Sequence, residues 1–366
     1  MRINRIALNG FRNYDFETAD FSPGTNVIYG ENAQGKTNLL ESVYMLAMGR
    51  SFRTRFDREL IGFGCDSAEI LADVVSHGRE QTVRILLRSG VRKQITVNSV
   101  KKTASELGET LNVVLFCPDD LNLIKEGAAA RRRLMDNAIS QIRPRYAEYL
   151  SQFNKFYESK TRILKDWREK PSLLNTLDEF SDGMCRSSAQ LIRYRASFAA
   201  RLADEAAPIH SEFSGADEKL GIEYSTVSAV KDPTASAKEI FYDLCDPMEA
   251  HRRAELDSGQ CLSGAHKDDL IISINGKNAR SFASQGQTRT AALSIKLAER
   301  EIYLDETGEY PILLLDDVLS ELDTKRQEFV LNRIGGGQTL ITCCEDEGIS
   351  RRTGGKVLHV ANGRIG

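Results

Sequence analysis

The chain has 366 residues, with 49 Lys and Arg against 52 Asp and Glu, 41% hydrophobic and 28% charged, the profile of a soluble globular protein with two domains or lobes. A net charge of -3 excludes a uniformly basic nucleic-acid coat, so any nucleic-acid site is a local patch. The longest apolar runs, such as Ile312 to Leu315 and Val113 to Phe116, are strand-length and far short of the roughly 18 residues of a membrane helix. Met1-Arg2-Ile3-Asn4-Arg5 leads into alternation rather than an apolar signal core, and a cytoplasmic protein is expected. The cysteines, Cys65, Cys117, Cys185, Cys245, Cys261, Cys343 and Cys344, show no C-x-x-C pair and no His at metal-ligand spacing. Buried reduced thiols are expected.

From Arg2 to about Lys101 the apolar residues recur with period two, through Ile3, Ile6, Leu8, Tyr14, Phe16 and the run Val27-Ile28-Tyr29. Further alternating runs at 69–76, 80–88 and 91–98 are separated by His77-Gly78 and Ser89-Gly90, which predicts a meander. Between Thr37 and Met48 the spacing of Leu39, Leu40, Val43, Tyr44, Leu46 and Ala47 predicts a helix. Beyond residue 121, Met184, Leu191, Tyr194, Phe198, Leu202 and Ala206 mark long amphipathic helices, punctuated by Pro144, Pro171 and Ser214-Gly215. A strand near 220–227 and a helix over 235–255 close this segment. Strand character returns at Leu270 to Ile274, where Asn275-Gly276 signals a type I′ hairpin. A helix over 285–303, the strand Ile312 to Leu315, another helix and the strand Thr339 to Cys343 follow. The expected architecture is an α/β lobe of residues 1–120 and 256–366, split by a helical lobe of residues 121–255.

Gly30-Glu31-Asn32-Ala33-Gln34-Gly35-Lys36-Thr37 fits the P-loop pattern G-x-x-x-x-G-K-[ST], between a predicted strand and a predicted helix. Its glycines let consecutive amides face a polyphosphate at a helix N-terminus. Lys36 is expected to reach the β- and γ-phosphates of ATP, and the Thr37 hydroxyl to ligate Mg²⁺. Ile312 to Asp317 is an apolar strand ending in two acids. Asp316 is expected in the Mg²⁺ shell and Asp317 as the group that orients or deprotonates the attacking water. Ser284-Gln285-Gly286-Gln287 before a helix reads either as an ordinary N-cap or as a second anion site. Two anion sites on one chain make sense if two chains meet head to tail, each nucleotide capped by the other's Ser284 and Gly286. Ser320-Glu321-Leu322-Asp323 follows the acidic strand end, in the place of a D-loop.

These segments, in this order, resemble the ABC-type P-loop ATPase head shared by transporter subunits and chromosome-maintenance proteins. The sequence is more closely similar to the RecF family of bacterial DNA replication and repair proteins. That resemblance rests on Gly10-Phe11-Arg12-Asn13-Tyr14, Gly30 to Asn38, Ser51-Phe52-Arg53-Thr54, Asp119-Asp120-Leu121, Arg131-Arg132-Arg133, Gly264-Ala265-His266-Lys267-Asp268-Asp269, Ser284 to Arg289 and Leu314 to Asp323. It implies a mixed β core with an antiparallel meander and a helical second lobe. It also implies an ATP-dependent homodimer in DNA recombination, repair and the SOS response. Such a dimer holds double-stranded DNA at ss/ds junctions and works with RecR and RecO to load the recombinase. Carried over by position, Arg12, Asn13 and Asn38 lie near the nucleotide, and Ser284, Gly286, Gln287 and Asp323 face it from the partner chain. RecF-like sequences usually read Gly-Pro-His-Arg-Asp-Asp where Ala265 and Lys267 stand here, which leaves His266 either functional or part of a polar turn. Transporter heads place Glu at Asp317 and His at Thr342, and the shorter base without that His suggests slow hydrolysis.

Two basic clusters are candidates for DNA phosphates: Arg50, Arg53, Arg55 and Arg58, and Arg131, Arg132 and Arg133. For Arg132 an ion pair between lobes is the other reading. The competing function is the ATPase subunit of a membrane transporter. Against it stand the span of about 280 residues between Thr37 and Asp316 and an Arg-rich insert without a hydrophobic coupling groove. That insert is too short for the long coiled coil of a chromosome-organising protein. A small-molecule kinase leaves Ser284 to Gln287 unexplained.

Overall fold

The computed structural model describes residues 1–344 and 348–366. The chain divides into one unit of Met1–Asn122 with Arg289–Gly366, and a second of Leu123–Thr288. The return to the first unit therefore falls at residue 289, not at 256. The reason is strand pairing: Asp269–Ile274 lies antiparallel to Leu220–Ser225, so residues that read as α/β are tied to the helical unit.

The first unit holds two six-stranded sheets. In one, Tyr14–Asp20, Arg2–Phe11, Ser67–Ser76, Arg79–Arg88, Val91–Val97 and Val100–Lys102 pair antiparallel in that spatial order. Alternation survives here because only one face is buried: along Ser67–Ser76, Ala68, Ile70, Ala72 and Val74 point into the core. The other sheet runs Arg364–Ile365, Lys356–Ala361, Thr25–Tyr29, Thr339–Cys343, Ile312–Asp316 and Val113–Phe116, parallel except for its first pair. Ile312–Asp316 and Thr339–Cys343 are buried along their whole length, which accounts for their unbroken apolar sequence. The helix Lys36–Met48 lies in the core between the two sheets, so residues on nearly all its sides are buried.

The second unit contains the helices Ala128–Ile142, Pro144–Asp166, Leu177–Ser214 and Ala237–Ser258. Pro144 opens one of them, where its missing N–H costs nothing, and Gly215 ends another at a φ of 70°. A three-stranded sheet of Lys277–Asn278, Asp269–Ile274 and Leu220–Ser225 completes it. Asn275 and Gly276 turn the hairpin with φ of 52° and 73°, the two positive values a type I′ turn demands. The unit boundary falls inside the helix Gln285–Thr307.

None of the seven cysteines forms a disulfide, but burial was expected of them all and is found only for Cys185, Cys261 and Cys343. Cys65 and Cys344 are exposed because they sit on loops, where a small apolar side chain is not forced inward. Among the described residues no helix is long and apolar enough to cross a membrane.

Candidate functional site

The loop Gly30 to Gly35 joins the central parallel strand Thr25–Tyr29 to the helix Lys36–Met48, and both glycines are obligatory there. Gly30 has a φ of 153°, and a Cβ on it would stand 2.1 Å from the Val360 carbonyl oxygen. At Gly35, φ 126°, an added Cβ would stand 2.9 to 3.0 Å from the side chains of Asn13 and Tyr14. Glu31, Asn32 and Ala33 form the exposed crest, with Ala33 itself left-handed at φ 64°. The loop is pinned from two sides. Asn13 Nδ2 and Gly363 N–H both donate to the Gln34 carbonyl, at 2.8 and 3.1 Å, and Tyr14 donates to the Gly35 carbonyl at 2.9 Å. Lys36 is buried, its ammonium donating to the carbonyls of Gly30 and Glu31 at 2.7 and 3.0 Å.

Facing the loop, the hydroxyls of Thr37 and Thr342 both donate to Asp316 Oδ1, each at 2.9 Å. Thr342 Oγ1 also accepts from the Asp317 N–H at 2.9 Å, so one residue fixes both acids. Burial raises the Asp316 pKa, the two hydroxyls oppose that, and the neighbouring Asp317 charge adds to it. Asp317 sits at φ 50°, a region Asp tolerates better than most residues, and its Oδ1 is buried without a hydrogen-bond partner. Thr342 was legible only as the residue standing where transporter heads carry His. Its bridging role depends on the parallel register of Asp316 with Thr342, which no local pattern reveals.

A second carboxylate organises the opposite flank. Glu41, 0% exposed, accepts two hydrogen bonds of 2.8 Å from Arg12 Nε and Nη2, and one from the Ser51 hydroxyl. Arg53 stands 3.6 Å from it and donates to Asn38 Oδ1 at 2.8 Å, while Asn38 Nδ2 donates to Asn13 Oδ1 at 2.8 Å. Arg12, Asn13, Asn38 and Arg53 thus form one hydrogen-bonded network beside the loop. Neither Glu41 nor Ser51 was among the expected site residues. A lone acid inside an otherwise apolar helix was the signal that could have found Glu41.

The second unit holds most of the remaining candidates. Ser284 and Gln287 cap the helix Gln285–Thr307 reciprocally: Ser284 N–H donates to Gln287 Oε1 at 2.8 Å, and Gln287 N–H to Ser284 Oγ at 3.2 Å. Gly286 lies in that first turn, and Gln287 Nε2 donates to Glu218 at 2.7 Å. Arg131, expected at DNA, is instead 4% exposed. It pairs with both oxygens of Asp269, at 2.6 and 2.9 Å, and donates to the carbonyls of Leu123 and Glu126. The buried ion pair of this cluster therefore belongs to Arg131, whereas Arg132 is half-buried and donates to the Asp268 carbonyl. Arg133 is exposed. Asp268 is wholly buried and receives Arg195, Tyr224 and Thr226 at 2.5 to 2.7 Å, which makes the run after Gly264 a structural anchor. In the first unit, Arg50 and Arg55 are exposed, and Asp323 caps the helix Thr324–Arg333 by accepting from Arg326 N–H at 3.0 Å.

The fold and this loop define an ABC-type P-loop ATPase head with a mixed β core and a helical lobe. The chain matches the family described as RecF/RecN/SMC N terminal domain over residues 2–360. It is 39% identical over 362 residues to the DNA replication and repair protein RecF of Acetivibrio thermocellus, covering 98% of each chain. Against RecF of Listeria monocytogenes serotype 4b the identity is 40% over 360 residues, covering 96% of this chain and 95% of the relative. The solved structure of the recombination mediator protein RecF-ATPrS in the RecFOR pathway superposes with a TM-score of 0.92 at 33% identity, covering 100% of this chain and 97% of the other. An Smc head domain derived from Pyrococcus furiosus, at a TM-score of 0.57 and 17% identity, shares the fold; 99% of this chain and 94% of that one are covered. The chain belongs to the RecF family of DNA replication and repair proteins.

Proposed function

We propose that this chain is an ATP-dependent DNA clamp of recombinational repair. Its ATP-bound homodimer holds duplex DNA near single-strand gaps and, with RecR and RecO, helps load the recombinase. Slow, DNA-stimulated hydrolysis then releases the DNA. The observation that carries this reading is the meeting of Thr37, Asp316, Asp317 and Thr342 beside a glycine loop that holds a buried ammonium.

The residues fit a magnesium-bound nucleoside triphosphate. Thr37 Oγ1 and Asp316 Oδ1, 2.9 Å apart, are the hard oxygen donors that Mg²⁺ takes from a P-loop and a Walker B strand. When bound, the metal would neutralise charge developing on the transferred phosphoryl group. Lys36 would exchange its carbonyl partners for phosphate oxygens, which repay its burial better because they are charged. The unsatisfied Asp317 Oδ1 suits a water molecule, which it would orient and deprotonate. Arg12, Asn13 and Asn38 hold the flank of the loop. The Ser284 hydroxyl accepts from Gln287 N–H and keeps its own hydrogen for a nucleotide bound to the partner chain, with Gly286 and Gln287 in the same turn, and Asp323 keeps the partner-facing role that the family resemblance gives it. ATP then forms part of the dimer interface, which supplies the differential affinity a switch requires. Arg50, Arg55 and Arg133, all exposed, would contact DNA phosphates without base readout, joined by Arg53 and Arg132 beyond their bonds to Asn38 and to the Asp268 carbonyl.

Sedimentation with and without ATP·Mg²⁺, using Asp317→Asn to stop turnover and a gapped duplex as ligand, tests this. Asn tolerates the left-handed backbone at 317, so the variant keeps the fold. The expected result is a doubled mass with ATP and DNA carried only by the dimer. A chain that stays monomeric and leaves the DNA behind overturns the reading.

A further inference from the structure

A fully solvated phenylalanine contributes nothing to folding, yet Phe63 is 108% exposed and Phe56 is 58% exposed. Both belong to the segment between the helix Lys36–Met48 and the strand Ser67–Ser76, and that segment is held firmly. Arg12 N–H donates to the Leu60 carbonyl and Gly62 N–H to the Gly10 carbonyl, both at 2.8 Å, and Ile61 bridges to Phe11. Cys65 N–H donates to the Gly62 carbonyl at 3.0 Å, closing a turn whose central residues are Phe63 and Gly64. The Gly64 φ of 80° is that of the third residue of a type II turn, which needs glycine. Phe63 is therefore displayed on a fixed tip.

The segment carries charges of both signs. Asp57 is bound to Lys93 at 2.9 Å, whereas Glu59, whose carboxylate accepts from the neutral Thr54 hydroxyl, and Asp66 stay negative. Arg55 and Arg58 are exposed, and among the described residues their guanidinium groups make no ion pair or hydrogen bond. The Arg58 guanidinium lies 5.3 Å from the centroid of the Phe56 ring. A protein partner would ask for a contiguous apolar core. Two separate exposed rings in one segment, one of them with the Arg58 guanidinium beside it, match a nucleic-acid strand, whose bases stack on aromatics while its phosphates take the arginines. A base inside a duplex is already stacked and paired, so the base such a tip takes is an unpaired one.

We propose that Phe63, with Phe56, Arg55 and Arg58, forms a stacking site for unpaired bases at the edge of a DNA gap. The proposal rests on the clamp reading above and adds the feature of the DNA that the clamp distinguishes. The test measures binding of the full chain with ATP·Mg²⁺ to a blunt duplex and to a gapped duplex of equal length, across a salt series. Phe63→Ala removes only solvated atoms. It should weaken gapped-duplex binding at least about fivefold, the lower end of one base–aromatic stack, and leave blunt-duplex binding and the salt slope unchanged. Phe63→Trp should restore the preference. Arg58→Ala should weaken both DNAs and lower the salt slope by about one. An unchanged gapped-to-blunt ratio in Phe63→Ala overturns the stacking site and leaves the clamp reading standing. A wild-type chain that retains neither DNA overturns both.

Discussion

His266 donates through Nε2 to the Cys261 carbonyl at 3.0 Å, while Nδ1 is buried with no hydrogen-bond partner and the ring lies 4.7 Å from that of Tyr157. Burial pushes its pKa down to about 4; the bond to Cys261 opposes this, and the charges of Lys267, Arg132 and Lys160 reinforce it. Between the ordinary value of 6.5 and about 4 the unfolded chain binds a proton that the folded chain refuses. Stability is therefore complete above about pH 6.5 and falls as the pH drops towards 4, by on the order of 1–3 kcal/mol. His266→Gln should flatten that part of a plot of urea midpoint against pH. An identical slope in the variant would refute the assignment, and His210, whose pKa burial also lowers, serves as the unchanged background in both chains. Sequence reading singled out His266 by its polar neighbours but could not tell a site from an anchor. The same limit applies to Arg131. Three consecutive arginines on a helix point about 100° apart, so one of them can turn inward, and only tertiary packing decides which.

The helix Lys36–Met48 binds its surroundings through Glu41 as well as through its apolar sides. Replacing that carboxylate with an amide leaves the Arg12 guanidinium half-paired in a largely buried place. Glu41→Gln is expected to cost about 2–4 kcal/mol of stability and to weaken nucleotide binding as Asn13 and Asn38 loosen beside the loop. A thermal melt and a nucleotide titration check it together, and an unshifted melt would show that the network is ornamental. Most elements were legible because their burial follows the simple periods of helix and strand. The meander at 69–98, the P-loop and the hairpin at Asn275-Gly276 all declare themselves locally. The strands Lys356–Ala361 and Arg364–Ile365 were not anticipated, although Asn362-Gly363 carries the same dipeptide signal, with φ of 50° and 67°. The error at residue 256 had a different origin. The partner of Asp269–Ile274 lies at Leu220–Ser225, and pairing across such a distance leaves no trace in either segment.

For the whole molecule the clamp reading makes Ser284 decisive. It caps a helix in its own chain, so Ser284→Arg should lose about 1 kcal/mol of stability while the protein stays folded and binds ATP. Dimerisation on adding ATP should be lost, because a long cation would occupy the space of the partner's nucleotide. Normal ATP-induced dimerisation of this variant, measured by sedimentation, would sink the shared-site arrangement.

The strand that leads into the P-loop, Thr25–Tyr29, is flanked on one side by Thr339–Cys343 and on the other by Lys356–Ala361. On a ribosome both its neighbours arrive about 300 residues later. Residues 123–288, the second compact unit, are complete well before then. In the meantime the chain carries an apolar strand with two open edges, a template for aggregation that a nascent-chain chaperone would have to cover. The P-loop is thus held in its sheet only once residues 356–361 have been made.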